Sequence, residues 1–172
     1  MRFPEAEGVS AGLLTRTLVY SILVPGAVTV LGPYLTLYAW GRGQDLSVGM
    51  LWLAGPPAIA IGVAIYLWCA WNFMVSGRGT PNVVIGPKRL VVRGLYRHVR
   101  NPMYLGTLLV LVGEALWLGE AILLVYAAEC LVFLLAWVHF YEEPVLRRRF
   151  GEAYLRYCRL TPRWLPRMRA AL

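Results

Sequence analysis

Lysine is almost absent from this chain and acids are scarce. The sequence holds 17 basic residues against 9 acidic ones, and Lys88 is the single lysine among them. Cysteine is equally sparse. Cys69, Cys130 and Cys158 sit far apart, and no pair has metal-ligand spacing. Two of them lie in apolar runs, where free cysteine packs as a small hydrophobe. No H-E-x-x-H, C-x-x-C or G-x-S-x-G pattern is present, so neither zinc catalysis nor serine hydrolysis has support. Gly77-Arg78-Gly79-Thr80-Pro81 is glycine-rich but matches neither G-x-x-x-x-G-K-[ST] nor G-x-G-x-x-G, and no strand–helix context surrounds it. The opening Met1-Arg2-Phe3-Pro4-Glu5-Ala6-Glu7 lacks an immediate apolar core, and the expectation is that it is no cleaved signal peptide.

What the chain has in excess is apolar residues. They make up 59% of 172 residues, where a soluble domain carries about 45–50%. The excess is gathered in runs, and about 20 apolar residues suffice to cross a bilayer. The first run, over about 13–40, contains Pro25 and Pro33 and predicts one bent helix. The second covers about 49–75, with Gly55-Pro56-Pro57 expected to kink it early and Gly62 to allow close helix contact. Trp68, Trp71 and Phe73 near its end fit an interfacial aromatic belt. The third, about 103–118, is short for a full crossing. The fourth, about 121–141, follows after only Gly119-Glu120, which demands a tight helical hairpin. The expected fold is therefore all-α: a polytopic membrane protein of about four transmembrane helices. It forms a single domain over 1–172, with an N-terminal helix pair over 1–75 and a core over 76–167.

Two polar stretches interrupt this pattern. Residues 76–106 carry six basic residues (Arg78, Lys88, Arg89, Arg93, Arg97 and Arg100) and no acid. Short apolar patches within them, Val83-Val84-Ile85 and Leu90-Val91-Val92, predict a loop that lies on the bundle. Residues 142–172 are basic again. Leu146, Phe150, Tyr154 and Cys158 recur every four positions, the mark of an amphipathic helix. Glu152 and Arg156 are spaced for an i, i+4 pair, and Pro162 and Pro166 end the helix. The positive-inside rule places loop, tail and both termini in the cytoplasm. With this hydropathy, the basic charge points to a membrane surface, not to nucleic acid.

The residues able to carry chemistry cluster at the borders of these stretches. Arg100-Asn101-Pro102-Met103-Tyr104 sits where loop becomes helix. Pro102 suits a first helical turn, whose free N–H groups favour an anion that Arg100 can clamp; as a bare pattern it also describes a plain helix boundary. Glu142 and Glu143 close the fourth run. They either hold a cationic ligand group or pair with nearby arginines, and adjacent helical positions point about 100° apart, so one of the two is expected to face a site. His139 shares a helix face with Glu142 and offers a neutral base, or is an interfacial polar group. Glu114 and Glu129 lie inside apolar runs, where acids are functional candidates by default or hydrogen-bond within the hairpin while protonated.

Taken in order, these residues resemble the isoprenylcysteine carboxyl methyltransferase family and its phospholipid methyltransferase relatives. The resemblance covers about residues 76–167. It rests on Leu90, Val91, Gly94 and Tyr96, then Arg100 to Gly106, then the tight hairpin. Glu142 to Leu146 follows, then Phe150, Gly151, Tyr154 and Tyr157, and finally Pro162-Arg163. The resemblance implies S-adenosylmethionine as cofactor. Lys88, Arg89, Leu90, Val91 and Tyr96 match the family's cofactor-binding loop; Asn101, Pro102, Met103 and Tyr104 match its helix-start motif, next to Arg100; Glu142 matches its cofactor-contacting acid. Asn101 stands where many members have His, and the arginine that the eukaryotic prenylcysteine enzymes carry before the Glu pair falls here near Trp137. The implied acceptor is thus a lipophilic carboxylate, amine or thiol, reached through membrane lipid. An amine or thiol needs a base, for which His139 and Glu143 are the candidates beside Glu142. Two other classes stay open on the sequence: an oxidoreductase of the sterol reductase-related type, and a non-enzymatic membrane protein.

Overall fold

The computed structural model describes residues 11–40, 46, 49–77 and 89–167. The expectations for Lys88, for Arg78, for the Val83-Val84-Ile85 patch and for all of 41–48 except Leu46 lie outside the described residues. Within them the chain is all-helical. Its α-helices are α1 (Ala11–Gly26), α2 (Gly32–Trp40), α3 (Gly55–Gly77), α4 (Pro102–Leu118), α5 (Ala121–Trp137) and α6 (Glu143–Leu160). Three helical stretches are long and apolar enough to cross a membrane: Ala11–Trp40, Gly49–Gly77 and the one that begins at Ala121. Helix α4 is apolar but has only 17 residues. Large apolar side chains stand outward on all sides, with Ile22 70% and Val132 65% exposed, as expected where lipid is the solvent.

Two π-helical turns interrupt the helices, and a proline explains each. Ala27–Leu31 joins α1 to α2, and Val138–Glu142 joins α5 to α6. Each ends two residues before a proline, Pro33 and Pro144. A proline ring collides with the carbonyl four residues back and brings no N–H, and widening the preceding turn relieves the collision. The expected bent first helix is therefore a continuous helix with a widened turn. In such a turn Gly32 N–H reaches the Ala27 carbonyl, and the next donor, residue 33, is a proline. The Val28 carbonyl is left without it, and the Tyr126 hydroxyl from α5 donates to it instead at 2.9 Å.

The second run differs from expectation at its start. It opens with a 3-10 turn, Gly49–Ala54, and becomes α-helical at Gly55. Pro56 and Pro57 thus occupy the first turn of α3, where their missing N–H groups cost nothing, and no kink arises inside α3. Helices α3 and α4 share the most extensive contact in the bundle. Glycine makes it possible. A Cβ on Gly62 would lie 2.5 Å from the Gly106 carbonyl oxygen, and one on Gly55 would lie 2.7 Å from that of Gly113. The two backbones touch at these pairs, seven residues apart on each helix, as small residues permit in a bilayer. The contact also spans the boundary after residue 75 that the sequence suggests.

The hairpin is as tight as expected. Gly119 takes the left-handed conformation (φ 67°) that lets α4 end, and Leu46 N–H donates to its carbonyl at 2.7 Å. Helix α6 runs to Leu160 with a break at Gly151 (φ 52°, ψ −132°). Glu152 and Arg156 are both exposed and form no ion pair; a solvated pair of this kind gains little.

The α3–α4 contact predicts an asymmetry. Gly106→Ala places a methyl against the Gly62 carbonyl at 2.8 Å, and should cost about 1–3 kcal/mol by overpacking. Ile61→Ala, at a 54% exposed lipid-facing position one residue from Gly62, should leave stability nearly unchanged. Thermal unfolding in detergent distinguishes the two; equal melting temperatures would contradict close packing at this point.

Candidate functional site

The site begins with a buried acid. Glu143, 2% exposed, stands at the start of α6. Arg100 Nη1 donates to its Oε1 at 2.7 Å. Arg163 grips it bidentately, Nε to Oε1 and Nη2 to Oε2, both at 2.8 Å. Arg147 approaches Oε2 at 3.5 Å. One carboxylate thus collects charge from the loop before α4, from its own helix and from the tail.

Backbone bonds fix the same three segments. Arg100 N–H donates to the Pro162 carbonyl at 2.9 Å, and Arg167 N–H to that of His98 at 3.0 Å. Asn101, at the N-cap of α4, makes no capping bond and donates to the Arg163 carbonyl at 3.1 Å. Tyr157 donates to the Tyr96 carbonyl at 2.8 Å. The tail from Thr161 to Arg167 is therefore strapped across the start of α4.

Glu142 faces differently. The π-turn presents it to the bundle interior, where Tyr104 donates to its Oε2 at 2.7 Å. Among the described residues no cation pairs with it. Two cavities meet there. A small one of about 60 Å³ lies toward the basic end, between Leu90, Val91 and the inner face of α6 with Leu146, Phe150, Tyr154 and Tyr157. A larger one of about 350 Å³ extends into the apolar bundle between α1, α3, α4 and α5. Phe73, Tyr96, Arg100, Asn101 and Glu142 line both. Tyr96 is buried with its ring edge-on to Phe73 at 5.4 Å. Burial holds its phenol well above the ordinary value, so it stays neutral at physiological pH.

Most of the residues singled out in the sequence come together here. Leu90, Val91, Tyr96, Arg100, Asn101, Glu142 and Glu143 line the small cavity; Met103 and Tyr104 line the large one. Pro102 is buried in the first turn of α4. Arg89 is exposed and lines neither cavity. His139 is exposed, stacked edge-on against Phe140, and also lines neither. The π-turn explains this: it rotates residue 139 away from the face that Glu142 presents. Glu114 keeps one buried oxygen without a partner, Glu129 is exposed, and neither reaches a cavity. Phe73 is no belt residue but a wall of both cavities. Sequence reasoning missed Arg163 as the bidentate partner of Glu143, and missed the first helix, where Tyr20, Val24 and Pro25 of α1 and Val28 of the π-turn after it line the large cavity. The proline after the Glu pair was the available signal for the π-turn.

The two carboxylates predict opposite mutational behaviour. Glu143→Gln leaves Arg100 and Arg163 without their counter-charge. Breaking a buried pair costs about 3–5 kcal/mol, and because Arg163 is 32% exposed the lower end applies. Glu142→Gln keeps an acceptor for Tyr104 and should melt within a few degrees of wild type. A Glu143→Gln protein as stable as wild type would remove the arginine cluster from its structural role.

A family model described as phospholipid methyltransferase matches residues 51–153, more than half of the chain. The matched span runs from the turn before α3 into α6 and contains Arg100, Tyr104, Glu142 and Glu143. No curated protein and no solved structure matches the chain. With apolar helices around a site built from these residues, the chain belongs to the phospholipid methyltransferase family, within the isoprenylcysteine carboxyl methyltransferase-like membrane methyltransferases.

Proposed function

We propose that this membrane methyltransferase uses S-adenosylmethionine and acts on a lipophilic acceptor drawn from the bilayer. The observation that carries the reading is the pair of adjacent cavities, a small one near the basic end and an apolar one deep between helices, sharing Arg100, Asn101 and Glu142. A charged, water-soluble cofactor and a lipid-soluble acceptor need such a divided site.

The residues present fit the cofactor. Arg100 Nε is buried without a hydrogen-bond partner beside the free first-turn N–H groups of α4, a setting that suits a carboxylate. Glu142, with no cation paired to it among the described residues, suits a cationic group. Leu90, Val91 and Tyr96 supply an apolar wall. When bound, S-adenosylmethionine supplies an electrophilic methyl group on a sulfonium. The protein's part is to hold both reactants in line and away from water, which can contribute roughly 7–11 kcal/mol.

The roles of the acids divide. Glu143 is engaged by three arginines and acts as a positioning residue that fixes Arg100. Glu142, held by Tyr104 at the junction of the cavities, is the carboxylate placed to take a proton from an amine or thiol acceptor. His139, on the outer surface, is not assigned that role. By the positive-inside rule we place the basic loop, the tail and the site on the cytoplasmic side. An isoprenylcysteine-like carboxylate acceptor is the alternative, and Arg100 at the junction is the group that would receive it.

Calorimetry on detergent-purified protein with lipid added back tests the cofactor reading. Wild type should bind S-adenosylmethionine and S-adenosylhomocysteine at micromolar concentrations. Glu142→Gln should bind the sulfonium form about tenfold or more weakly, as for loss of a charge-assisted contact, with a smaller effect on the uncharged thioether. Absence of binding by folded wild type would end the reading.

A further inference from the structure

The lining of the large cavity ends, on both helices, beside one side chain that lies just beyond it. On the first helix its lining stops at Val28; on α5 it stops at Cys130. The next position on that face of α5 is Tyr126, one turn further from Glu142. Its hydroxyl bridges the gap by donating to the Val28 carbonyl at 2.9 Å. Its ring lies directly on Gly32, where a built Cβ would collide with the tyrosine hydroxyl and ring. Beyond that clasp α2 and α5 pack together, whereas α1 makes no comparable contact with α5 on the site side. The helices thus form a wedge, open beside Glu142 and shut at Tyr126.

We infer that Tyr126 sets the length of acceptor chain this protein accepts, because its ring, seated on Gly32 and anchored to the Val28 carbonyl, closes the apolar cavity at a fixed distance from Glu142. This rests on the proposed acceptor reading and adds a specificity residue to it. From Glu142 to Cys130 is twelve helical positions, roughly 18 Å at the rise of a helix, comparable to an extended dodecyl or tetradecyl chain. Three features of sequence cooperate. Pro33 removes the donor for the Val28 carbonyl, Tyr126 replaces it, and Gly32 leaves room for the ring. The side wall between Val24 and Phe133, 47% and 62% exposed, faces lipid, so a chain can slide in sideways but cannot pass the end.

The test uses terminally brominated octyl-, dodecyl-, hexadecyl- and eicosylamine with full-length protein in lipid nanodiscs. Binding is read as quenching of Trp137, which lines the cavity, with Trp137→Phe as the background. Wild-type affinity should rise to dodecyl and fall by about tenfold at hexadecyl. Tyr126→Leu should move that fall to eicosyl and leave dodecyl binding within about threefold. Val28→Phe, which fills the far end, should move it below dodecyl. Tyr126→Phe keeps the ring, so it should melt at lower temperature through the lost hydrogen bond yet keep the wild-type cutoff. An unchanged cutoff in both Tyr126→Leu and Val28→Phe would overturn the ruler alone. A wild type that binds no chain saturably would overturn the acceptor cavity and the ruler together, while calorimetry of the cofactor would still stand or fall by itself.

Discussion

Burying a carboxylate is expensive, and at Glu143 the expense is met by three guanidinium groups from three parts of the chain. The desolvation of such a group is several kcal/mol, and only good geometry offsets it. Arg163 provides that geometry with two 2.8 Å bonds in a planar fork, which a lysine would not reproduce. The preference for arginine across the chain is consistent with this use. Because Arg100, Arg163 and Glu143 are bound to one another, the start of α4, the start of α6 and the tail are held as one body. The walls of the small cavity that α6 and the start of α4 supply hang from that body.

The second constraint is backbone bonding in lipid. An orphan carbonyl in a bilayer has no water to turn to, so each proline in a spanning helix must be answered elsewhere. Pro33 is answered by Tyr126, and its π-turn shapes the far end of the apolar cavity. Pro144 is answered by the Val138–Glu142 turn, which faces Glu142 inward and seats Glu143 among its arginines. The same device, a widened turn ahead of a proline, therefore builds both ends of the proposed site. Between them the glycine pairs of α3 and α4 hold the bundle close enough for Phe73 and Tyr96 to meet.

Much of this was legible in the sequence. The apolar runs, the two-residue hairpin and the four-residue spacing of Leu146, Phe150 and Tyr154 are local patterns with local causes, and the structure repeats them. Arg100, Asn101, Tyr104 and Glu142 were legible as a set because polar residues at the edge of apolar runs are few. Other features were not. His139 and Glu142 share a face in an ideal helix, but one extra residue in the turn separates them. Phe73 read as a membrane-belt aromatic, because nothing local tells a ring facing lipid from one facing Tyr96. The proline kink expected in α3 became a helix start, since a 3-10 turn precedes Gly55.

The sequence by itself determined that the chain is an apolar helical bundle with one strongly basic end, because hydropathy and charge act residue by residue. It also determined which side chains had chemistry to offer. Only the tertiary structure decided that Glu143 is the anchor and Glu142 the group that lines both cavities, because two adjacent acids differ in nothing but the turn that presents them. Only the tertiary structure brought α1 into the site and set Tyr126 at the end of it, since these contacts join residues about a hundred positions apart, and no local pattern encodes which distant carbonyl a hydroxyl will find.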